Sequence, residues 1–582
     1  MTASLLLLFA LLFSADIPVD SEDARLEMLF KHYLAALCQQ RPATATQLGD
    51  HSYDHKLDDL SAEGRQKRAE LTRRTLQKLE ALDRKKLSAQ GHIDWDVFRQ
   101  ALRREIWADQ HLKSWATDPL LWNEFFCDSV YALFASSTVP KQRNLRNAIQ
   151  RIGQVPQVIL AARAALGKPP RVFTETAIAR NKGAIAFYES GIYELAGENP
   201  ATSPLKPACD KVVAALKEYG SFLEKELLPR STGEWRIGKE KFAAKLELQL
   251  DADCTADQVL ADAEAEAERV TREMYIVARQ LWHKAYPKEA LPPDDAPGRT
   301  ETIARVLAHF NKDHSKAEEL TGEARAVSEK IKKFIAEKDL LRLPEPDRCQ
   351  IIEMPEFQRG FSVAYLNPAP PLDPKARSYY AISPPPAGWD ARRVETLLQE
   401  YNRAMMAILT IHEAYPGHYV QLEYSNRHPS FLRKVLQSGV FIEGWAVYTE
   451  QMMLDQGYGD GDLVLRLNQL KFYLRAVINA ILDHQMHCKE MTDEQAMDLL
   501  MKRGFQAEGE ARGKVVRAKL SSCQLSTYFV GRMAFYRLRQ EVQREQGADF
   551  SLGRFHEACL AHGSIPVKHL PVLVRQRLKQ PR

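Results

Sequence analysis

A seven-residue stretch of the chain contains two histidines and a glutamate. His412 and Glu413 begin this stretch and His418 ends it. Neutral imidazole nitrogens bind zinc, and a glutamate beside them can take a proton from a water that the metal activates. The residue types are therefore those that a zinc hydrolase needs. The alternative is a chance pairing of surface histidines with no function.

The spacing of the two histidines differs from that of the common zincin helix, in which they are four residues apart on one face. His412 and His418 are six apart, which separates them by roughly 240° around an unbroken helix. The ring of Pro416 would clash with the carbonyl four residues earlier, and Gly417 tolerates conformations that other residues resist. We therefore expect the helix to break at residues 415–417 and to return His418 to the metal.

The surroundings of the motif favour a buried site. Residues 404–411 form an apolar approach to His412, and Glu443 lies in a second apolar run, residues 441–446. Buried ionisable side chains need partners such as a metal. His412, His418 and Glu443 are therefore the expected ligands, and they leave a fourth position for water. Glu450, two turns after Glu443, either orients a ligand histidine or forms a salt bridge at the edge of the core.

These motifs also carry a resemblance to a known family. The runs His-Glu-x-Tyr-Pro-Gly-His and Glu-Gly-Trp-Ala-x-Tyr, which begin at His412 and Glu443, resemble the signature of the bacterial domain-of-unknown-function family numbered 885. That family is similar to the gluzincin zinc metallopeptidases. The resemblance extends over nearly the whole chain. It implies a mostly α, large, two-lobed zincin-like fold, with a small β element beside the helix that binds the metal.

Further short motifs support the resemblance. They are Pro42–Asp50 followed by Asp58 and Asp59, Tyr379-Tyr380 before Pro384, Asp483 with His487, Gln524 with Tyr528 and Gly531, Phe555-His556, and Gly563–Pro566. Two positions depart from the family pattern. Cys523 stands where glycine is expected, and Tyr419 follows His418 where a second histidine is common. Neither change removes a ligand, so they concern the shape of the pocket.

Catalytic roles follow for three residues. Glu413, beside the expected ligands, would be the general base. By the resemblance, Tyr528 and His487 would donate hydrogen bonds to developing negative charge. Each donor has an alternative reading. Tyr528 could be a packed aromatic, and His487 could bond to Asp483 one helical turn earlier.

Three functions are compatible with these residues. The first is a Zn²⁺-dependent metallopeptidase that cleaves peptides or small amides. The second is a metal-dependent hydrolase of non-peptide amides or esters, and the third is a binding protein that keeps the fold without turnover. Glu413 favours an enzyme, because a metal site without catalysis has no use for an adjacent base. The sequence makes no prediction about oligomeric state.

Composition and the N-terminus restrict partners and location. The chain has 582 residues and a formal net charge of +4, which gives no electrostatic case for nucleic acid. Residues 5–13 are an apolar run, too short to span a bilayer. It predicts a signal peptide over residues 1–15 and hence an exported protein, periplasmic or secreted. The alternative is a buried N-terminal helix in a cytoplasmic protein. The sequence offers no other apolar stretch for a membrane span.

Local patterns predict a helical protein with few strands. Capping boxes at Thr255–Gln258 and Thr492–Gln495 each begin a helix. Strands are expected at residues 245–250 and 349–353, and an edge strand at residues 378–383 between prolines. The proline-rich stretch 291–298 divides an N-terminal helical half, residues 22–290, from a catalytic half, residues 298–582. The two halves are expected to pack as one unit with substrate between them.

Overall fold

The structure, a computed structural model, describes residues 21–135, 137–354, 359 and 364–580. The expected signal peptide at residues 1–15 lies outside these ranges. Within them, no helix is both long and apolar enough to cross a membrane.

Helices make up most of the described chain, and the predicted mostly helical class with a small β element is confirmed. The helices of the N-terminal part are α1 (Glu22–Gln40), α2 (Pro42–Leu48), α3 (Ala62–Glu80), α4 (Ala89–His111), α5 (Ser114–Thr117), α6 (Pro119–Phe126), α7 (Asp128–Ala135), α8 (Lys141–Ile152), α9 (Val155–Ala165), α10 (Arg171–Ala186), α11 (Ile192–Ala196), α12 (Lys206–Phe222), α13 (Lys239–Leu250) and α14 (Ala256–Ala285). Those that follow are α15 (Ala296–Phe310), α16 (Leu320–Glu337), α17 (Ala391–Glu400), α18 (Arg403–Glu413), α19 (His418–Asn426), α20 (Phe431–Val435), α21 (Gly439–Asp455), α22 (Leu463–Cys488), α23 (Asp493–Asp498), α24 (Glu508–Leu520), α25 (Thr527–Gln546), α26 (Leu552–Leu560) and α27 (Leu570–Leu578).

Both predicted capping boxes are confirmed. Thr255 and Gln258 bond reciprocally at the start of α14, and Thr492 and Gln495 do so at the start of α23. Each pair satisfies two backbone N–H groups that the first turn of a helix leaves unpaired. Sequence therefore fixes where these two helices begin.

A three-stranded sheet lies between α16 and α17 in the chain. Its strands are β1 (Cys349–Glu353), β2 (Ala364–Asn367) and β3 (Ser378–Ile382), in the order β1-β3-β2. The predicted strand at β1 is confirmed. The prediction of β3 as an edge strand is wrong, because β1 pairs with it in parallel and β2 antiparallel. The neighbouring prolines lie outside β3, so its ladder loses no donor. The edge strand nearest the metal motif is β2.

The predicted strand at residues 245–250 is also wrong, since this segment is the second half of α13. Phe242, Leu246 and Leu250 are its buried residues. Their spacing of four places them on one helical face. Six residues that alternate between apolar and polar do not distinguish a strand from a helix here, because the apolar face of the helix begins upstream at Phe242.

The two largest hydrophobic cores of the described residues do not meet at residues 291–298. The smaller core is built from residues between 57 and 227. The larger core contains α1, α4 and α14 together with the helices from α18 onwards. Because α14 packs along α22, segments on both sides of residues 291–298 share one interior.

The opening motif joins the N-terminal helices to the sheet. Gly49 ends α2 with φ +89°, and the N–H of Leu372 donates to the Leu48 carbonyl oxygen at 2.8 Å. His51 lies between two carboxylates, with Nδ1 at 3.0 Å from Asp54 and Nε2 at 3.5 Å from Asp373. This junction fixes the loop that leads into β3.

Candidate metal centre

The helix that carries His412 ends where the sequence predicts. α18 ends at Glu413 and α19 begins at His418, with a cis peptide bond between Tyr415 and Pro416. The N–H of Gly417 donates to the carbonyl oxygen of Ile411 at 3.0 Å. A Cβ on Gly417 would lie 1.9 Å from the carbonyl oxygen of His412. Glycine is therefore required because the chain folds back onto its own helix.

The fold-back brings the two imidazoles together. The ring centroids of His412 and His418 are 4.7 Å apart and their planes are nearly perpendicular. Oε2 of Glu443 lies 3.5 Å from Nε2 of His418 and 3.9 Å from Nε2 of His412. One donor atom from each of the three side chains lies within 4.8 Å of the other two. Ligands of tetrahedral zinc are about 3.4 Å apart, so this donor set fits the ion.

Glu443 is placed by a close crossing of two helices. On α21 it precedes Gly444, whose added Cβ would lie 2.3 Å from the Cα of Gly531 on α25. An added Cβ on Gly531 would lie 2.0 Å from the carbonyl oxygen of Val440. The backbones touch because neither residue has a side chain. The crossing places Glu443 on α21 beside Tyr528 on α25, one turn before Gly531.

Glu450 determines which nitrogen of His412 faces the cluster. Its Oε1 lies 2.7 Å from Nδ1 of His412, and the carboxyl group is fully buried. With the proton of the imidazole on Nδ1, Nε2 keeps its lone pair for a metal. Burial, followed by the charge of His418, lowers the pKa of His412 to about 3, so the imidazole is neutral. Of the two positions expected for Glu450, beside a histidine or in a salt bridge at the edge of the core, it occupies the first.

Burial and ion pairing compete at the other two donors. Burial lowers the pKa of His418, but the hydrogen bond and charge of Glu443 outweigh it and raise that pKa overall. Burial raises the pKa of Glu443, and His418 more than reverses that shift. Glu443 is therefore held as a buried carboxylate, and His418 supplies the positive partner that a buried carboxylate needs.

Glu413 faces the sheet. Its Oε2 accepts a hydrogen bond at 3.0 Å from the backbone N–H of Leu366 on β2. Burial raises the pKa of Glu413 to about 7. A base whose pKa lies near neutral pH is suited to accept and return a proton.

Tyr528 lies beside the cluster with its hydroxyl fixed from one side. Arg517 Nη2 donates to the hydroxyl oxygen at 3.2 Å, and Gln524 Nε2 does so at 3.5 Å. Burial, and then the charge of Glu443, raise the pKa of Tyr528, so the hydroxyl stays protonated. Because the hydroxyl oxygen is the acceptor in both contacts, the O–H can donate a hydrogen bond to another group.

The structure does not bring His487 to the cluster. Phe472 on α22 contacts His412, with ring centroids 5.8 Å apart, and His487 lies fifteen residues further along that helix, about 22 Å away. Nε2 of His487 lies 3.0 Å from the carbonyl oxygen of Ala518 and 2.8 Å from that of Ser521. These contacts tie down the end of α24. The expected role as an oxyanion donor therefore has no geometric support.

Asp483, the partner of His487 in its motif, holds the next segment. Its carboxylate accepts hydrogen bonds from the N–H of Cys523 at 3.0 Å and from the hydroxyl of Ser526 at 3.1 Å. The motif therefore fixes the connection between α24 and α25. Tyr528 lies directly after this connection, at the start of α25, so the connection determines its position.

Sequence reasoning missed the contributions of Leu366, Arg517 and the indole of Trp445, whose Nε1–H donates to the carbonyl oxygen of Pro416. The Trp445 contact had a signal, because tryptophan belongs to the second motif. The other two had none. Leu366 acts through its backbone, and Arg517 lies in a helix whose charges read as a solvated surface.

Two solved structures share the fold of this chain. A solved structure of a candidate lipoprotein of unknown function from Shewanella oneidensis has a TM-score of 0.79 and 30% identity, and the match covers 96% of this chain and 100% of the other. A candidate lipoprotein from Colwellia psychrerythraea has a TM-score of 0.77 and 18% identity over 96% and 99%, which shows a common fold. No curated protein matches significantly. The family described as bacterial protein of unknown function, DUF885, matches residues 42–574. The chain therefore belongs to the DUF885 family.

Proposed function

We propose that the protein is a zinc-dependent hydrolase, and specifically a metallopeptidase with a zincin-like arrangement. One observation carries the proposal: His412, His418 and Glu443 converge beside Glu413, which is not part of the ligand set. A site that only stored or bound a metal would need the three donors but not the fourth carboxyl group. Enzymes of this class combine the same donor types with an adjacent base.

Zinc, when bound, would polarise the scissile carbonyl group and make water a nucleophile at neutral pH. Glu413 takes the proton from the attacking water and delivers it to the leaving amine. Its hydrogen bond from Leu366 fixes the carboxyl group against β2. Tyr528 donates a hydrogen bond from its hydroxyl to the oxyanion of the tetrahedral intermediate, and Arg517 holds that hydroxyl in place.

The edge of the sheet supports a peptide as substrate. Among the described strands, β2 pairs with β3 alone, and the N–H of Leu366 points away from β3 to Glu413. In an antiparallel pair, alternate backbone groups of an edge strand point outwards in this way. An extended substrate chain can pair with those groups beside the base. A non-peptide amide or ester would use the same zinc and base without this edge.

We also propose that the protein is exported. The apolar run at residues 5–13 supports this, as do the two similar structures described as candidate lipoproteins. N-terminal sequencing of the protein recovered from cell fractions tests it. A protein that begins at Met1 in the cytoplasm would contradict export.

The hydrolase proposal is tested by elemental analysis of the purified protein, followed by digestion of a peptide library with and without a chelator. We expect roughly one zinc per chain, because the donor set forms one tetrahedral site. Cleavage should stop with chelator and return on addition of zinc. Zinc-loaded protein that cleaves esters and small amides but no peptide would favour the alternative hydrolase. Full turnover without metal would overturn the proposal.

A further inference from the structure

A lysine lies buried beside the metal centre with no counter-ion of its own. Lys514, on α24, is 5% exposed. Within the described ranges it makes no hydrogen bond and no ion pair. A buried ammonium group without a partner is costly, so it tends to lose its proton unless a negative ligand meets it.

The acidic residues near Lys514 are already engaged. Glu510, one turn earlier on α24, forms an ion pair with Arg475. Glu400 accepts two hydrogen bonds from Lys471, at 2.7 and 2.9 Å. These ion pairs leave Lys514 without a carboxylate partner among the described residues.

Lys514 lies within electrostatic reach of Glu443. The groups that act on it are Arg475 and Arg517, which oppose its protonation, and Glu510 and Glu443, which favour it. Burial and the two arginines prevail, and the pKa of Lys514 lies well below its usual value. Glu443 is a donor of the metal cluster. Once a metal engages that carboxylate, the local charge becomes more positive still.

Arg517 extends this positive region to the surface. It lies three residues after Lys514, hence on the same helical face, and it is exposed. Its Nη2 donates to Gln524 at 2.8 Å and to the hydroxyl of Tyr528 at 3.2 Å. The helix thus presents an exposed guanidinium beside the proposed oxyanion donor and, one turn earlier, a buried amine that a carboxylate ligand would hold protonated.

We propose that Lys514 and Arg517 bind a carboxylate of the substrate beside the metal centre. The inference rests on the proposed peptidase function and names its substrate class: peptides with a negative group close to the scissile bond. Two sources supply that group, a free C-terminus and an acidic side chain. The C-terminal source would make the enzyme a carboxypeptidase or a peptidase of very short peptides.

Three forms of one N-acylated tetra-alanine peptide separate these sources: the free acid, the C-terminal amide, and an amide with glutamate as its last residue. A carboxylate site predicts that the wild-type enzyme cleaves the acid with a kcat/KM roughly ten- to a hundredfold above that of the plain amide. If the acidic side chain is the natural source, the glutamyl amide recovers this advantage. Equal rates on all three forms would overturn the inference and leave the hydrolase proposal standing.

Variants assign the effect to the lysine. Lys514→Met should abolish the preference for the acid by raising its KM while leaving turnover of the plain amide nearly unchanged, and Lys514→Arg should restore part of it. Arg512→Gln is the matched control, because Arg512 is exposed on the same helix and pairs with Glu508. A Lys514→Met enzyme that keeps the preference contradicts the inference.

Binding provides a measurement independent of turnover. Zinc-loaded Glu413→Gln protein should bind the acid peptide more tightly than the amide in a calorimetric titration, and the added Lys514→Met change should remove the difference. If no peptide is cleaved by the wild type, the hydrolase proposal fails while this titration still decides the carboxylate site. Equal binding of acid and amide would overturn the inference.

Discussion

The indole Nε1–H of Trp445 donates a hydrogen bond to the carbonyl oxygen of Pro416 across 2.8 Å. Trp445 is two residues after Glu443 on α21, and Pro416 lies in the break between His412 and His418. One helix therefore supplies the third donor and also holds the bend that brings the second histidine to it. The two sequence motifs are therefore in direct contact, and this contact brings Glu443 to the two histidines.

Replacement of this indole tests that relationship. Trp445→Phe should leave the buried carbonyl of Pro416 without a donor and lower the free energy of unfolding by about 1–3 kcal/mol. Zinc affinity should fall roughly ten- to a hundredfold, as when a group that orients a ligand is lost. Competition titration with a zinc-binding dye measures the affinity.

Trp282→Phe is the matched control for this variant. Trp282 is fully buried on α14 and its Nε1 donates to the carbonyl oxygen of Glu289 at 3.1 Å. This change should lower stability to a similar extent without a loss of zinc affinity. If both variants lose zinc equally, the contact with Pro416 has no specific role.

The roles of base and ligand are separated by two further variants. Glu413→Gln should retain zinc and lose most activity, because it removes the proton acceptor and no donor. Glu443→Ala should lose zinc, as should His412→Ala and His418→Ala. Elemental analysis beside a peptide assay checks both. Zinc lost from Glu413→Gln and kept by Glu443→Ala would reverse the assignment.

Gly417 is required for steric reasons. In Gly417→Ala the new methyl group would meet the carbonyl oxygen of His412 at 1.9 Å, so the bend must open and move His418 away from Glu443. We expect weaker zinc binding and a lower melting temperature. Gly322→Ala, on α16 with no atom within 4 Å of the added carbon, should be neutral or stabilising by up to about 1 kcal/mol. Equal behaviour of both variants would show that the bend accommodates a side chain.

The break between His412 and His418 was predictable, since proline and glycine act on the local backbone, and so was the grouping of both histidines with Glu443. Helix starts with a capping box were predictable for the same reason. The central position of β3 was not, because the pairing of β3 with β1 and β2 depends on segments distant in the chain. The separation of His487 from the cluster was not predictable either. The distance of a residue on α22 from the site depends on which segments pack against that helix, and the sequence does not specify them.

The junction at His51 predicts a pH dependence of stability. The hydrogen bond from Asp54 raises the pKa of His51, against the effect of burial, and Asp373 adds to the rise. The folded state thus holds this proton more tightly than the unfolded state. The stabilisation is complete below about pH 6.5, the usual histidine pKa, and is lost as pH rises through the higher folded value.

His51→Gln should therefore be less stable than the wild type by on the order of 1 kcal/mol at pH 5.5. The difference should shrink at pH 8.5, where the wild-type imidazole is neutral. Urea unfolding at the two pH values measures it. His55→Gln is the control, because no ion pair of His55 is recorded among the described residues. A difference that is constant with pH would show that His51 contributes packing rather than charge.

Cys523 occupies a backbone position better suited to glycine. Its φ is +67°, its N–H donates to Asp483, and its side chain is fully buried. The left-handed conformation costs a residue with a Cβ roughly 1 kcal/mol in free energy, and it costs glycine almost nothing. Cys523→Gly should therefore be more stable than Cys523→Ala by about 1 kcal/mol, the reverse of the order in a helix, because both lose the thiol and only one keeps the Cβ. Denaturant unfolding compares them. An alanine variant that is the more stable would show that cavity size, and not the left-handed backbone, governs this position.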